Sequence, residues 1–312
     1  PWTSLGIGDD AALLQADGLE VVSTTELLIE GVHFDLMYTP LKHLGYKSVV
    51  VNLSDIYAMN AQPTQITMSL AFSNRFSLEA LEEFYEGVAI ACDKYGVDLI
   101  GGDTSTSQKG LIISVTALGE VAPDQYIKRS TAESGDLICV SGDLGAAFLG
   151  LTLMEREKKI FLENPQIQPN LENEDYIVGR LLRPEARKDI IELLEKLEIK
   201  PTSMMDISDG LSSDVLHLCK QSDLGCRIYE EKIPINEASK AAAFKFGLDA
   251  TVCALNGGED YELVFTVSQS DFEKVEKIAD VTAIGYMTDL KNEKVMVMKS
   301  DQIVNLTAPG FN

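Results

Sequence analysis

Between Thr64 and Val121 the spacing of apolar residues changes from strand-like to helical and back, which confines the chain to a fold that mixes sheet and helix. Residues 64–73 (TQITMSLAFS) put Ile66, Met68, Leu70 and Phe72 on one face, as a half-buried strand requires. Residues 77–95 then place Leu81, Tyr85, Val88 and Cys92 at i, i+4, i+7 and i+11 behind a Ser77 cap, which is helical spacing. Strands are expected near 97–101 and 110–121. The stretch 42–60 reads as a helix: Val49-Val50-Val51 favours a strand, but the segment's length and the stop at Pro63 outweigh it.

At 132–136 (AESGD) the chain turns polar and then restarts with an apolar strand, LICVSG, and a helix from Ala146. This turn divides the chain into domains 1–133 and 134–312. In the second, 161–173 reads as a surface loop, helices are expected near 184–197, 210–222 and 269–278, and strands near 225–230, 261–267, 281–286 and 294–298. Helices and strands mix in both halves without a strict βαβ repeat, so the fold class is α+β.

Charge and residue usage exclude several functions. With 49 acidic and 26 basic residues, a formal net charge of -23, the chain repels a nucleic-acid backbone and an anionic membrane surface alike. No apolar run reaches the roughly 18 residues that a membrane helix needs. Five cysteines lie scattered without C-x-x-C spacing, which fits neither a disulfide framework nor a zinc ribbon, and the expected location is the reducing cytoplasm. Three histidines, His33, His43 and His217, leave little material for a His-rich metal site or a Ser-His-Asp triad, so catalysis is expected to run on carboxylates.

Five short segments set carboxylates beside glycine or at the ends of apolar runs: Gly8-Asp9-Asp10, Asn52-Leu53-Ser54-Asp55, Gly101-Gly102-Asp103-Thr104, Asp206-Ile207-Ser208-Asp209-Gly210 and Gly257-Gly258-Glu259-Asp260. A single such segment is usually a turn or a cap. Five of them suit hard cations, because Mg²⁺ takes oxygen ligands and binds through one or two carboxylates plus substrate phosphates. Gly6-Ile7-Gly8-Asp9-Asp10-Ala11 matches G-x-G-x-x-A, but two aspartates inside a pyrophosphate cradle would repel the ligand. No Walker loop or protein-kinase motif occurs, so a nucleotide would be held through metals. Gly142-Asp143-Leu144-Gly145 could receive an anion at a helix start, although close strand-to-helix packing is the simpler reading. Lys128-Arg129 offers a cationic clamp for phosphates, with a merely solvated pair as the equal alternative. His33, beside Val32 and Phe34, reads on its own as a packed side chain.

In this order, GIGDDAALL, STTELLIEGVHF, VNLSDIYAMNAQP, GGDTS, Lys128-Arg129-Ser130, DISDGLSSDVLHL and GGEDYELVFT resemble the thiamine-monophosphate kinases, members of the aminoimidazole ribonucleotide synthetase-like superfamily. The resemblance implies a two-domain α+β fold in which residues 1–133 bind ATP and Mg²⁺ and their sheet pairs in a homodimer. It implies an enzyme that uses ATP and several Mg²⁺ ions to phosphorylate thiamine monophosphate to thiamine diphosphate. By the same resemblance Asp10, Thr24, Thr25, Glu26, Asp55, Asp103, Asp206 and Asp209 form the metal shell, with Glu26 standing where the family usually has Asp. Asp55, Asp103, Asp206 and Arg129 are the catalytic set, and Gly102, Asp103, Arg129 and Ser208 contact the ATP phosphates, with Tyr95 a candidate for adenine stacking. His33 and Glu259 become thiamine-phosphate contacts, which reverses the unaided reading of His33. The family's aromatic tail is replaced by Ala308-Pro309-Gly310-Phe311-Asn312, where Phe311 is the candidate for the missing stacking surface. Aminoimidazole ribonucleotide synthetase itself, and a non-catalytic nucleotide- or metal-binding protein, are the alternatives.

The residue inventory suits that reaction. The acceptor is a phosphate monoester with a second pKa of about 6, so its attacking oxygen is already anionic and needs no general base. Repulsion between phosphates is then the main obstacle, at about 4 kcal/mol per unit-charge pair 4 Å apart in an effective dielectric near 20. Metal ions and Arg129 offset it, and transfer is expected to be direct and in line.

Overall fold

The computed structural model describes residues 3–5, 9–16, 18–74 and 76–308. The chain divides into two compact units. The first comprises Pro1–Tyr126, Met154–Pro169 and Leu182–Ala186, and the second Ile127–Leu153, Asn170–Leu181 and Arg187–Asn312.

The first unit contains β1 (Thr3–Leu5), β2 (Ala12–Ala16), β3 (Leu19–Ile29), α1 (Leu41–Ala58), β4 (Gln62–Phe72), α2 (Leu78–Tyr95), β5 (Asp98–Thr106) and β6 (Ile112–Val121). Its six-stranded sheet runs β1-β2-β3-β6-β4-β5, antiparallel except for the β4–β5 pair. The ambiguous apolar stretch is α1. It is buried on nearly all sides because it packs on β3, β4 and β6 and also against α2, which explains why valines surround it without an amphipathic period. The two helices meet backbone to backbone: a Cβ on Gly45 would lie 2.0 Å from the Phe84 carbonyl oxygen, and one on Gly87 would lie 1.9 Å from that of Lys42. Helix α2 starts where Ser77 Oγ accepts the Ala80 N–H (3.3 Å) and stops at left-handed Gly96. The segment Leu182–Ala186 is fixed to this helix pair, since Glu185 accepts the Tyr46 and Tyr95 hydroxyls (3.0 and 2.7 Å) and pairs with Lys94.

The second unit contains β7 (Leu137–Ser141), α3 (Ala146–Glu163, whose last ten residues group with the first unit), α4 (Asp175–Leu182), α5 (Lys188–Lys196), β8 (Ser203–Ile207), α6 (Leu211–Ser222), β9 (Gly225–Tyr229), α7 (Glu237–Phe246), α8 (Ala250–Asn256), β10 (Glu262–Val267), α9 (Phe272–Val275), β11 (Val281–Thr288), β12 (Lys294–Val297) and β13 (Ile303–Asn305). The seven-stranded sheet runs β13-β12-β9-β11-β7-β10-β8, and Ile138, Val140, Ile207, Val215, Ile228 and Val264 lie in its core. Three expectations are corrected. Helix α3 continues into the segment read as a loop and ends at Glu163. The helix expected from 184 begins at Lys188, because the residues before it are held otherwise: the Ala186 N–H donates to the Tyr95 hydroxyl and Arg187 has non-helical backbone (φ -82, ψ 53). The helix expected at 269–278 is reduced to a 3₁₀ turn and the four residues of α9.

Candidate active site

In the first unit, Asp10 lies two residues before Ala12, the first residue of β2, which pairs with Ser23 of β3. Asp10 is 8% exposed. It offers a carboxylate oxygen within 4.8 Å of one from Asp55 on α1, and Thr24 Oγ1 donates to Asp55 Oδ2 at 2.8 Å. Two carboxylates at that separation repel by about 3 kcal/mol in an effective dielectric near 20, so the pair favours a cation. Alternation along β3 puts Thr24 and Glu26 on the face toward α1, between buried Val22 and Leu28. Thr25 lies on the opposite face, where its hydroxyl donates to the Val115 carbonyl (3.0 Å) and accepts from Thr116 (3.1 Å). Its side chain is therefore corrected as a metal ligand: the two-residue period of the strand turns it away from Asp55.

His33 sits half-buried in a tight turn after β3. Its Nδ1 accepts the Ile29 N–H (3.1 Å), and its own N–H donates to the Ile29 carbonyl (2.9 Å). The ring is thus oriented, and the neutral form carries its proton on Nε2. Asp103 is exposed on edge strand β5. Neighbouring Gly102 is required by packing, because a Cβ there would lie 1.7 Å from the Met68 carbonyl oxygen. Tyr95 is corrected from a base-stacking residue to a core residue. It is 2% exposed, burial with Tyr46 and Glu185 raises its phenol pKa, and its hydroxyl accepts the Ala186 N–H (3.0 Å) while donating to Glu185.

In the second unit, two of the acidic motifs lie side by side. Asp206 is 3% exposed near the end of β8, opposite Leu263 of β10. The chain then turns through Ser208, exposed Asp209 and Gly210 into α6. The Glu259 N–H donates to the Ser208 carbonyl (2.8 Å) and the Tyr261 N–H to that of Ile207 (2.9 Å), so the loop carrying Glu259 is zipped to the loop carrying Ser208 and Asp209. Glycine is needed at 258, where a Cβ would meet the Ser208 carbonyl oxygen at 2.4 Å. Glu259 and Tyr261 both hold left-handed backbone (φ 66 and 52), a strained state that only over-determining contacts maintain. Arg129 is brought to the same unit because the Met204 N–H donates to the Lys128 carbonyl (3.3 Å) and Ser222 Oγ to that of Arg129 (3.0 Å). Phe311 lies outside the described residues.

Asp260 holds these loops from beneath, a role that the sequence motif did not disclose. It is 1% exposed, and its carboxylate accepts the Gly145 N–H (2.7 Å) and the Ala147 N–H (3.5 Å) at the start of α3. The helix start after Gly142-Asp143-Leu144-Gly145 is thus occupied by a side chain of the protein, in agreement with the packing reading of that motif. Burial pushes the Asp260 carboxyl up to about 7, against the opposing pull of Arg180 and the Gly145 N–H. The native state then keeps a proton that an unfolded aspartate near 3.8 has released. The associated stability is complete below about pH 4 and is lost as pH rises through about 7. Asp260→Asn imitates the protonated form, so urea denaturation should show the variant gaining on the parent as pH rises from about 5 to 8.

Family models for AIR synthase related proteins match residues 8–121 with the N-terminal domain and 133–298 with the C-terminal domain, which defines the class. The thiamine-monophosphate kinase of Bacillus subtilis (strain 168) is 34% identical over 99% of this chain and 93% of its own length. That of Buchnera aphidicola subsp. Schizaphis graminum is 37% identical over 98% and 91%. The solved structure of AaThiL complexed with AMPPCP and TMP superimposes with a TM-score of 0.85 at 32% identity, covering 98% of this chain and 91% of the other. The chain belongs to the thiamine-monophosphate kinase family.

Proposed function

We propose that this protein transfers the γ-phosphoryl group of ATP to thiamine monophosphate, forming thiamine diphosphate and ADP. The observation that carries the reading is the likeness, over nearly the full length of both chains, to thiamine-monophosphate kinases and to a relative complexed with AMPPCP and TMP. A terminal oxygen of the acceptor phosphate attacks Pγ in line, and the bond from Pγ to the β–γ bridging oxygen breaks as ADP leaves. No phosphoenzyme forms, and no side chain removes a proton from the acceptor. Aminoimidazole ribonucleotide synthetase chemistry and a silent binding role are not favoured by these relatives.

The donor set fits Mg²⁺, since Asp10, Asp55 and the Thr24 hydroxyl are all hard oxygen donors and two of them are carboxylates in mutual repulsion. In this proposal Asp10, Thr24, Glu26, Asp55 and Asp103 of the first unit and Asp206 and Asp209 of the second hold the ions, with Thr25 contributing through its main chain. The ions, when bound, neutralise phosphate charge. Gly102, Asp103, Arg129 and Ser208 orient the triphosphate, and the Arg129 guanidinium adds fixed positive charge. His33, Glu259 and Phe311 contact thiamine monophosphate. Residues 1–133 form the ATP- and Mg²⁺-binding part and pair in a homodimer, for which the wholly exposed edge strand β5, with Leu99 and Ile100 at 41% and 55% exposure, offers the surface. No helix among the described residues is long and apolar enough to cross a membrane. The free state of all five cysteines supports a cytoplasmic setting.

The reading is tested by ³¹P NMR of the protein with ATP, Mg²⁺ and thiamine monophosphate. The expected spectrum gains the two resonances of thiamine diphosphate with an equal amount of ADP, and neither appears without Mg²⁺. ATP and thiamine monophosphate left unchanged by folded protein would refute it.

A further inference from the structure

We propose that Asn52 is a positioning residue for the metal-binding carboxylates: it ties strand β3 to α1 beside the contact between Thr24 and Asp55. Strand β3 pairs with β6 as far as Ile29, and from α1 the Asn52 Oδ1 accepts the Glu26 N–H at 3.1 Å, so a main-chain donor of the strand is bound by a side chain of the helix. The amide cannot swing away, because Asn52 is fully buried and its Nδ2 donates to the Ser48 carbonyl one turn earlier in α1 (2.9 Å).

The consequence for the site follows from helical spacing. Asn52 and Asp55 lie three residues apart and share one face of α1. Asn52 grips β3 at Glu26, and Asp55 accepts the Thr24 hydroxyl two residues earlier on the same strand. Two bonds between the same pair of elements fix both the distance and the register of strand against helix, where a single bond would leave a pivot. A buried asparagine is also expensive in the middle of an apolar helix such as Val49-Val50-Val51-Asn52-Leu53, so packing alone gives no reason for its presence. Asn52 touches none of the proposed reacting groups and acts through Thr24, Glu26 and Asp55.

This proposal rests on the metal reading of Asp10 and Asp55, and its test separates the two. Mn²⁺ is titrated into the nucleotide-free protein and free ion is read by electron paramagnetic resonance, for the parent, Asp55→Asn, Asn52→Leu and Asn52→Asp. The parent should bind Mn²⁺ more tightly than Asp55→Asn; equal affinity would overturn the metal reading, and this proposal with it. Asn52→Leu keeps the volume and removes the acceptor. It should weaken Mn²⁺ by about tenfold or more, the usual effect of losing a residue that orients a ligand, and amide exchange in residues 24–28 should quicken. Asn52→Asp retains an oxygen for the Glu26 N–H and should bind within about threefold of the parent or more tightly. Asn52→Ala takes the place of the leucine variant should the latter not fold. Mn²⁺ affinity within twofold of the parent in the folded acceptor-less variant, with only a lower melting temperature, would show a structural role alone and overturn the proposal.

Discussion

Asp55→Asn is expected to lower kcat/KM for thiamine diphosphate formation by about 10²–10³-fold, the usual loss when one element of charge stabilisation is removed from a polar active site. The same substitution should leave the metal-free protein as stable as the parent or about 1 kcal/mol more stable. The opposite signs come from one geometry. Asp55 and Asp10 bring carboxylate oxygens within 4.8 Å of each other, and that repulsion opposes folding until a cation is present. Asparagine relieves the repulsion and still offers an oxygen to the Thr24 hydroxyl, so the packing of β3 on α1 survives. Thermal melts with and without Mg²⁺, set beside initial rates, check both parts. Mg²⁺ should raise the melting temperature of the parent and have a smaller effect on the variant, because a ligand stabilises only the state that binds it. A variant that lost stability in metal-free buffer would identify Asp55 as a structural residue instead.

What was legible in the sequence is what local spacing determines. The period of α2, its Ser77 cap and the alternation of β4 are local, and the structure places these elements within a residue or two of expectation. Strand β3 was not legible, because the face that should have read as apolar carries Thr24 and Glu26 between Val22 and Leu28; a strand that builds a polar site loses its alternation there. Helices α7 and α8 were missed as well. Their alanine-rich and short apolar runs carry little periodicity, and it is the Asn236 and Asp249 side-chain caps that mark their starts. The acidic segments announced a site collectively, but with β3 unread as a strand there was no alternation from which to turn Thr25 to the other side of the sheet from Thr24. Tyr95 could not be placed from sequence either, because its decisive partner, Glu185, lies 90 residues away along the chain. Asn52 did leave a signal, a polar amide within a run of valines and leucine, and the deeper meaning of Asp260 was hidden by the more conspicuous glycines before it.

Residues that serve the site and residues that hold its scaffold should differ in the sign of their stability effects, and Glu262 provides the opposite case to Asp55. Its carboxylate is 1% exposed at the start of β10, lies 2.9 Å from Arg180, pairs with Arg187 and accepts the Ser141 hydroxyl, whose oxygen in turn accepts the Leu263 N–H (2.8 Å). Removing it strands positive charge unevenly. Arg187 keeps Asp189 and Asp280, both largely solvent-exposed, whereas Arg180 is left with Asp260 at 4.0 Å and the carbonyls of Asp143 and Asp260. Breaking a buried pair from one side typically costs about 3–5 kcal/mol, because the remaining charge stays desolvated. Glu262→Ala should lose stability on that scale in urea denaturation, a large share of the roughly 5–15 kcal/mol that a folded domain possesses. Glu262→Gln, which keeps the shape and an acceptor for Ser141, should lose less. Because Glu262 lies beneath the loops and touches none of the proposed ligands, the folded fraction of Glu262→Ala should retain kcat/KM within about tenfold of the parent, well short of the 10²–10³-fold loss expected for Asp55→Asn. A larger activity loss at temperatures where the variant is fully folded would mean that the network sets the geometry of the Asp206–Gly210 and Gly257–Tyr261 loops directly, and that scaffold and site cannot be separated at β10.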